Sequence, residues 1–159
     1  MLPDSLSAMP RTATGEPGPP ARPPIGLLLD RVARQVSREF DEALVEVGGS
    51  RPIWLVLLAL TINKEANQRQ LAEFVGIRGA TLTHHLNAME SAGLVVRSRD
   101  PENRRSHVVR RTSAGDQLFL RLRDAATTFD TRLRRGLSAK DLESLRTLLD
   151  RLSSNSSRS

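Results

Sequence analysis

Arg78-Gly79-Ala80-Thr81-Leu82-Thr83-His84-His85-Leu86-Asn87-Ala88-Met89-Glu90 is the stretch whose reading decides the fold. Leu82, Leu86 and Met89, with Gly93 beyond them, recur at helical spacing and share one face, while Thr81, His84 and Ala88 point away from it. Just upstream, Asn67 followed by Gln70 has the form of a capping box. It opens a short helix that buries Leu71, Phe74 and Val75 and that Gly76 breaks. Two helices joined by a short turn containing glycine form a helix-turn-helix, in which the second helix enters the major groove of DNA.

Downstream, Leu94-Val95-Val96-Arg97-Ser98-Arg99 and Arg104-Arg105-Ser106-His107-Val108-Val109-Arg110 flank Asp100-Pro101-Glu102-Asn103. Two β-rich runs around a Pro/Asn turn predict a hairpin. Six arginines lie between Arg97 and Arg111 against only Asp100 and Glu102. A hairpin is too small to bury them, so they form either a solvated charged surface or a phosphate-neutralising cluster. Their place directly after a recognition helix favours the second.

The remaining chain reads as support. Residues 1–24 hold seven of nine prolines and little to bury, which predicts a disordered arm. Leu28, Val32, Val36, Phe40, Leu44 and Val47 form the stripe of a long amphipathic helix ended by Gly48-Gly49. Ser50 is placed to cap the next helix, Arg51 to about Ile62, which tolerates Pro52 in its first turn and is apolar nearly all round. That helix is therefore central, and Trp54 reads as core. Thr112 or Ser113 caps a helix from about Ala114, with Leu118, Leu122, Ala125, Phe129 and Leu133 at helical intervals. Ser138 with Asp141 starts a last helix, striped by Leu142, Leu145, Leu149 and Leu152, and a polar tail begins at Ser153.

Composition bounds the function. With 159 residues, 38% hydrophobic, the chain suits one compact domain with loose ends. A net charge of +6 favours a polyanionic partner, and the bias to arginine (only Lys64 and Lys140 are lysines) suits the planar fork that recognises phosphate and guanine. No cysteine is present, which excludes disulfides and thiolate metal sites. The longest apolar run, Ile53 to Leu60, falls well short of the roughly 20 residues that span a bilayer, and no secretory signal pattern opens the chain, so a cytoplasmic place is expected. No phosphate-binding Gly-Lys loop, G-x-S-x-G turn or H-E-x-x-H helix is found, so no enzyme activity, cofactor or metal is expected.

Over residues 25–152 the chain resembles the MarR family of bacterial winged helix-turn-helix repressors. The resemblance rests on Leu71-Ala72-Glu73 with Gly76-Ile77, on Thr81-Leu82-Thr83 leading to Leu86, Met89-Glu90, Gly93-Leu94-Val95 and Arg97, and on Asp100-Pro101, Asn103-Arg104-Arg105, Thr112 and Gly115. It implies a mainly α fold with a β-hairpin wing: residues 25–48 and 114–152 as dimerisation helices, and 51–112 as the winged domain. It implies a homodimer on a palindromic site, controlled by a small, often aromatic or phenolic, ligand between the dimerisation and DNA-binding regions. This chain departs from the pattern in three places. Asn103 stands where aspartate usually orients the wing arginine. Arg78 stands where a small capping residue is common before the recognition helix, and His84 where arginine is common on it. Arg111 replaces a leucine.

On this reading Arg78, Thr81 and His84 contact base edges, Thr83 and Arg99 position phosphates, and Arg105, beside Arg104, enters the minor groove. His85, at the edge of the buried stripe, reads as a packing or capping histidine. A ligand cavity would be lined by apolar residues that also serve a core, Phe40, Trp54 and Leu58 among them. Two other readings stay open: a winged helix that binds nucleic acid without sequence preference or effector, and a protein-interaction module that binds no DNA.

Overall fold

A computed structural model describes residues 22–99 and 107–156. Two compact units, residues 1–35 and 36–159, divide the chain within its first helix, α1 (Ile25–Glu46). In the first unit the helix starts on the Pro24 carbonyl, which accepts from the backbone N–H groups of Leu27 and Leu28. Ile25, Leu27, Leu28 and Val32 are all exposed there, and Arg34 pairs with Asp30 one turn away.

In the second unit α1 buries Leu44, and Phe40 and Val47 pack against the core. Ser50 caps α2 (Arg51–Ile62) by accepting from the N–H of Ile53, with Pro52 in the first turn, where a missing N–H costs nothing. As its all-round apolarity predicted, α2 is central: Val56, Leu57, Ala59 and Leu60 are buried, and Trp54 packs on the core through a parallel stack on Phe119, ring centres 5.5 Å apart.

The expected capping box is present. Asn67 accepts from the N–H of Gln70, and the Gln70 side chain accepts from the N–H of Asn67, each at 2.9 Å, opening α3 (Gln68–Val75). Gly76, at φ 73°, closes α3 in the left-handed conformation that glycine adopts without steric cost. The buried face of α3 runs through Leu71, Ala72 and Val75, so Phe74 lies at its edge and is 44% exposed, contrary to expectation. In α4 (Gly79–Ser91), Leu82, Leu86 and Met89 are fully buried. Gly93 is not the next residue of that stripe. The helix ends at Ser91, and Gly93 sits exposed in the following turn.

The wing is β2 (Val95–Arg99) antiparallel to β3 (His107–Arg111), in register from Val95↔Arg111 to Arg99↔His107. A third strand, β1 (Ala66–Asn67), pairs with the other side of β3, giving the order β1-β3-β2. Two residues are too few to show strand periodicity. Thr112 caps α5 (Ser113–Leu133) by accepting from the N–H of Gly115, and its own hydroxyl donates to the Gly93 carbonyl. One residue thus ties the start of α5 to the entry of the wing. Ser138 and Asp141 exchange hydrogen bonds at the start of α6 (Ala139–Ser156). This helix continues past Ser153, where a tail was expected, and buries none of its residues.

Candidate nucleic-acid interface

The face of α4 opposite its buried stripe presents Arg78, Thr81, His84 and Ala88, all exposed. Arg78 occupies the N-cap position and makes no capping bond with its side chain. Among the described residues no hydrogen bond or ion pair engages the side chains of Arg78, Thr81 or His84; the His84 ring meets the half-buried His85 ring edge-on at 5.9 Å. These groups are therefore available to an outside partner. Thr83 is not. Its hydroxyl donates to the Gly79 carbonyl at 2.9 Å and accepts from the Gln68 amide, so it locks the start of α4 to the start of α3 instead of facing a phosphate.

The wing's arginines divide in the same way. Arg97 donates through Nε to Glu90 at 3.0 Å and through a terminal nitrogen to Asn87 at 2.7 Å, and Glu90 also accepts from the backbone N–H of Arg97. The Glu90 carboxyl is held below its ordinary value, first by the Arg97 side-chain hydrogen bond. Arg110 donates to Glu65, at the loop before β1. Arg111 pairs with Asp116 of α5. Only Arg99, among the described wing arginines, is exposed with no such partner. Arg104 and Arg105, with Asn103, lie outside the described residues.

A cleft of about 560 Å3 is walled by Phe40 and Ser37 of α1, Arg51 and Leu55 of α2, and Phe129 and Leu133 of α5. The Phe40 and Phe129 rings meet at 5.3 Å with a 52° tilt. Arg51 spans the wall: its Nε donates to Asp41 at 2.8 Å, a terminal nitrogen donates to the Ser37 carbonyl at 2.7 Å, and its guanidinium carbon lies 5.7 Å from the Phe40 ring centre. Of the expected lining residues, Phe40 is in this wall. Trp54 and Leu58 are not; both pack against the core, Trp54 because Phe119 offers it a stacking partner.

The sequence pattern of the MarR family matches residues 50–107. The transcriptional repressor CouR, solved bound to a 23-mer DNA duplex, is 30% identical over 82% of this chain and 92% of its own, with a TM-score of 0.73. The chain belongs to the MarR family. A MarR-family transcriptional regulator from Rhodococcus sp. RHA1 is 28% identical over 80% of this chain and 91% of its own, with a TM-score of 0.69. BpsR of Bordetella bronchiseptica, whose DNA binding is regulated by 6-hydroxynicotinic acid, shares the fold at 22% identity over 81% of this chain and 98% of its own (TM-score 0.70).

For this MarR-family transcriptional regulator, two arginines carry more than composition suggested. Arg51 sits in the first turn of α2, where the helix dipole disfavours a cation, and that misplacement was a readable sign of another role. Arg111 stands where the family pattern has leucine. No single helix among the described residues is long and apolar enough to cross a membrane.

Proposed function

We propose that this MarR-family chain is a dimeric cytoplasmic repressor without enzyme activity. It reads a pseudo-palindromic operator through α4 and the wing, and a small aromatic anion in the α1/α2/α5 cleft releases it. One observation supports this most: the side chains of Arg78, Thr81 and His84 on α4, and of Arg99 on the wing, are exposed and uncommitted, beside neighbours whose polar groups are tied up within the fold. On this reading Arg78, Thr81 and His84 face base edges, while Arg99, with Arg104 and Arg105, neutralises phosphate or enters the minor groove. CouR, a repressor solved on duplex DNA, points the same way. In the cleft, Phe40 and Phe129 offer ring contacts, and Arg51, held in place by Asp41 and Ser37, offers its remaining N–H groups to a carboxylate.

Fluorescence anisotropy with duplex taken from beside the chain's own gene tests both parts. The expected preference over scrambled duplex is on the order of 1,000-fold, with half-sites roughly 10 base pairs apart. Equal binding to both duplexes would sink the specific-repressor reading in favour of a sequence-indifferent nucleic-acid binder, and no binding would favour a protein-interaction module. Hydroxybenzoates, added as probes, are expected to release the wild type and to act much more weakly on Arg51→Gln. Equal release from the two proteins would remove Arg51 from the effector site.

A further inference from the structure

Arg111 ends β3, the central strand of the sheet, and directly precedes the Thr112 cap of α5. Its guanidinium is held within the fold at Nε, at one of its two terminal nitrogens and on one face. Nε faces the Asp116 carboxylate of α5 at 2.8 Å. One terminal nitrogen donates to the Leu57 carbonyl at 3.4 Å and to the Thr61 hydroxyl, both on α2. The guanidinium carbon lies 5.0 Å from the centre of the Phe119 ring, which in turn stacks on Trp54 of α2. The side chain is only 21% exposed.

The geometry points to Arg111 as a positioning residue for operator binding: a bracket that fixes the wing to α2 and α5 and touches no DNA itself. This rests on the reading of the chain as a DNA-binding repressor. The chemistry explains why arginine stands there. A planar fork serves an ion pair and two oxygen acceptors along its edges while its face covers an aromatic ring, which neither a lysine ammonium nor a leucine side chain does. Because β3 pairs with both β1 and β2, whatever holds its end sets the attitude of the hairpin that carries Arg99. The wing's other anchors lie elsewhere on it: Arg97 bonds to Glu90 and Asn87 of α4, Arg110 to Glu65, and Val95, Val108 and Val109 are buried.

Arg111→Leu keeps an apolar filler and removes the bracket; Arg111→Lys keeps the charge without the fork. In hydrogen exchange on the free protein, the Val108 and Val109 amides of either variant are expected to exchange about tenfold faster, while those of Phe40 and Leu44 in α1 keep their protection. Fluorescence of Trp54, the only tryptophan, should shift in both variants as the stack loosens. In anisotropy, both variants should lose on the order of tenfold in operator affinity with an unchanged dependence on salt. By contrast, Arg99→Ala should lose affinity and flatten the slope of log affinity against log salt by about 1.8, one phosphate contact from each protomer of the dimer. If Arg111→Leu does not fold, Asp116→Asn, which removes the ion pair alone, should show the same wing-specific exchange to a smaller degree.

Unchanged wing exchange in these variants would overturn the proposal, as would an equal rise throughout the protein. A salt slope flattened as in Arg99→Ala would make Arg111 a phosphate contact and also overturn it. Failure of the wild type to prefer its operator would sink the functional reading alone. The exchange measurement needs no DNA and judges the bracket separately.

Discussion

Glu90 and Arg97 show at the residue scale how charge is spent on holding the reader together. Glu90 is half-buried near the end of α4, Arg97 lies on β2, and their hydrogen bonds, with that of Arg97 to Asn87, join recognition helix to wing. The Glu90 carboxyl is depressed below its ordinary value of 4.5, with the Arg97 side chain as the leading cause. A carboxylate lowered in the folded state adds stability above its unfolded pKa, and that stability is lost as pH falls through the folded pKa. Glu90→Gln should therefore lower the urea midpoint measurably at pH 7 and by progressively less at acid pH, as the wild-type carboxyl takes up its proton. The effect is small, because the pair is partly solvated. An equal deficit at neutral and acid pH would show that shape rather than charge makes this link.

At the scale of elements, the junction between wing and α5 is set by close approach. A Cβ built on Gly115 would stand 2.1 Å from the Leu94 carbonyl oxygen, a backbone atom that cannot swing aside. Gly115→Ala should cost about 1–3 kcal/mol by forcing β2 and α5 apart, and thermal denaturation should show a drop of several degrees. An unchanged Tm would mean that the junction yields without cost. The helices around this junction were legible in the sequence because their signals are local: Ser50, Asn67 with Gln70, Thr112, and Ser138 with Asp141 each cap a group three residues away. The destinations of the wing's arginines were not legible. Arg110 meets Glu65 across 45 residues and Arg111 meets Leu57 across 54, so a cluster that reads as one phosphate surface resolves into structural and available members only once the chain is folded. Thr83 likewise meets Gln68, fifteen residues before it.

The whole molecule carries apolar surface that one chain does not cover. No residue of α6 is buried, and Leu145, Leu148 and Leu149 are each more than two-fifths exposed, as are Leu133, which ends α5, and Leu137, in the turn before α6. A stripe of leucines at helical spacing left in water is unfavourable by about 25 cal/mol for each Å2 of apolar area, and a second copy of the chain is the partner that a palindromic operator requires. Stable dimers bury upward of about 1,000 Å2, more than isolated surface leucines supply but within reach of whole helices at the chain's ends. Replacing Leu145 and Leu149 together with Asp is therefore expected to give a monomer by sedimentation equilibrium at micromolar concentration. The core around Leu57, Leu60, Leu86 and Leu122 lies elsewhere, so circular dichroism should show the winged domain still folded. Operator affinity should fall by on the order of 100-fold or more, because a monomer engages one half-site and forfeits the effective concentration of the second. A dimer that survives both substitutions would place the interface away from α6, and a monomer that binds the full operator undiminished would break the link between assembly and reading.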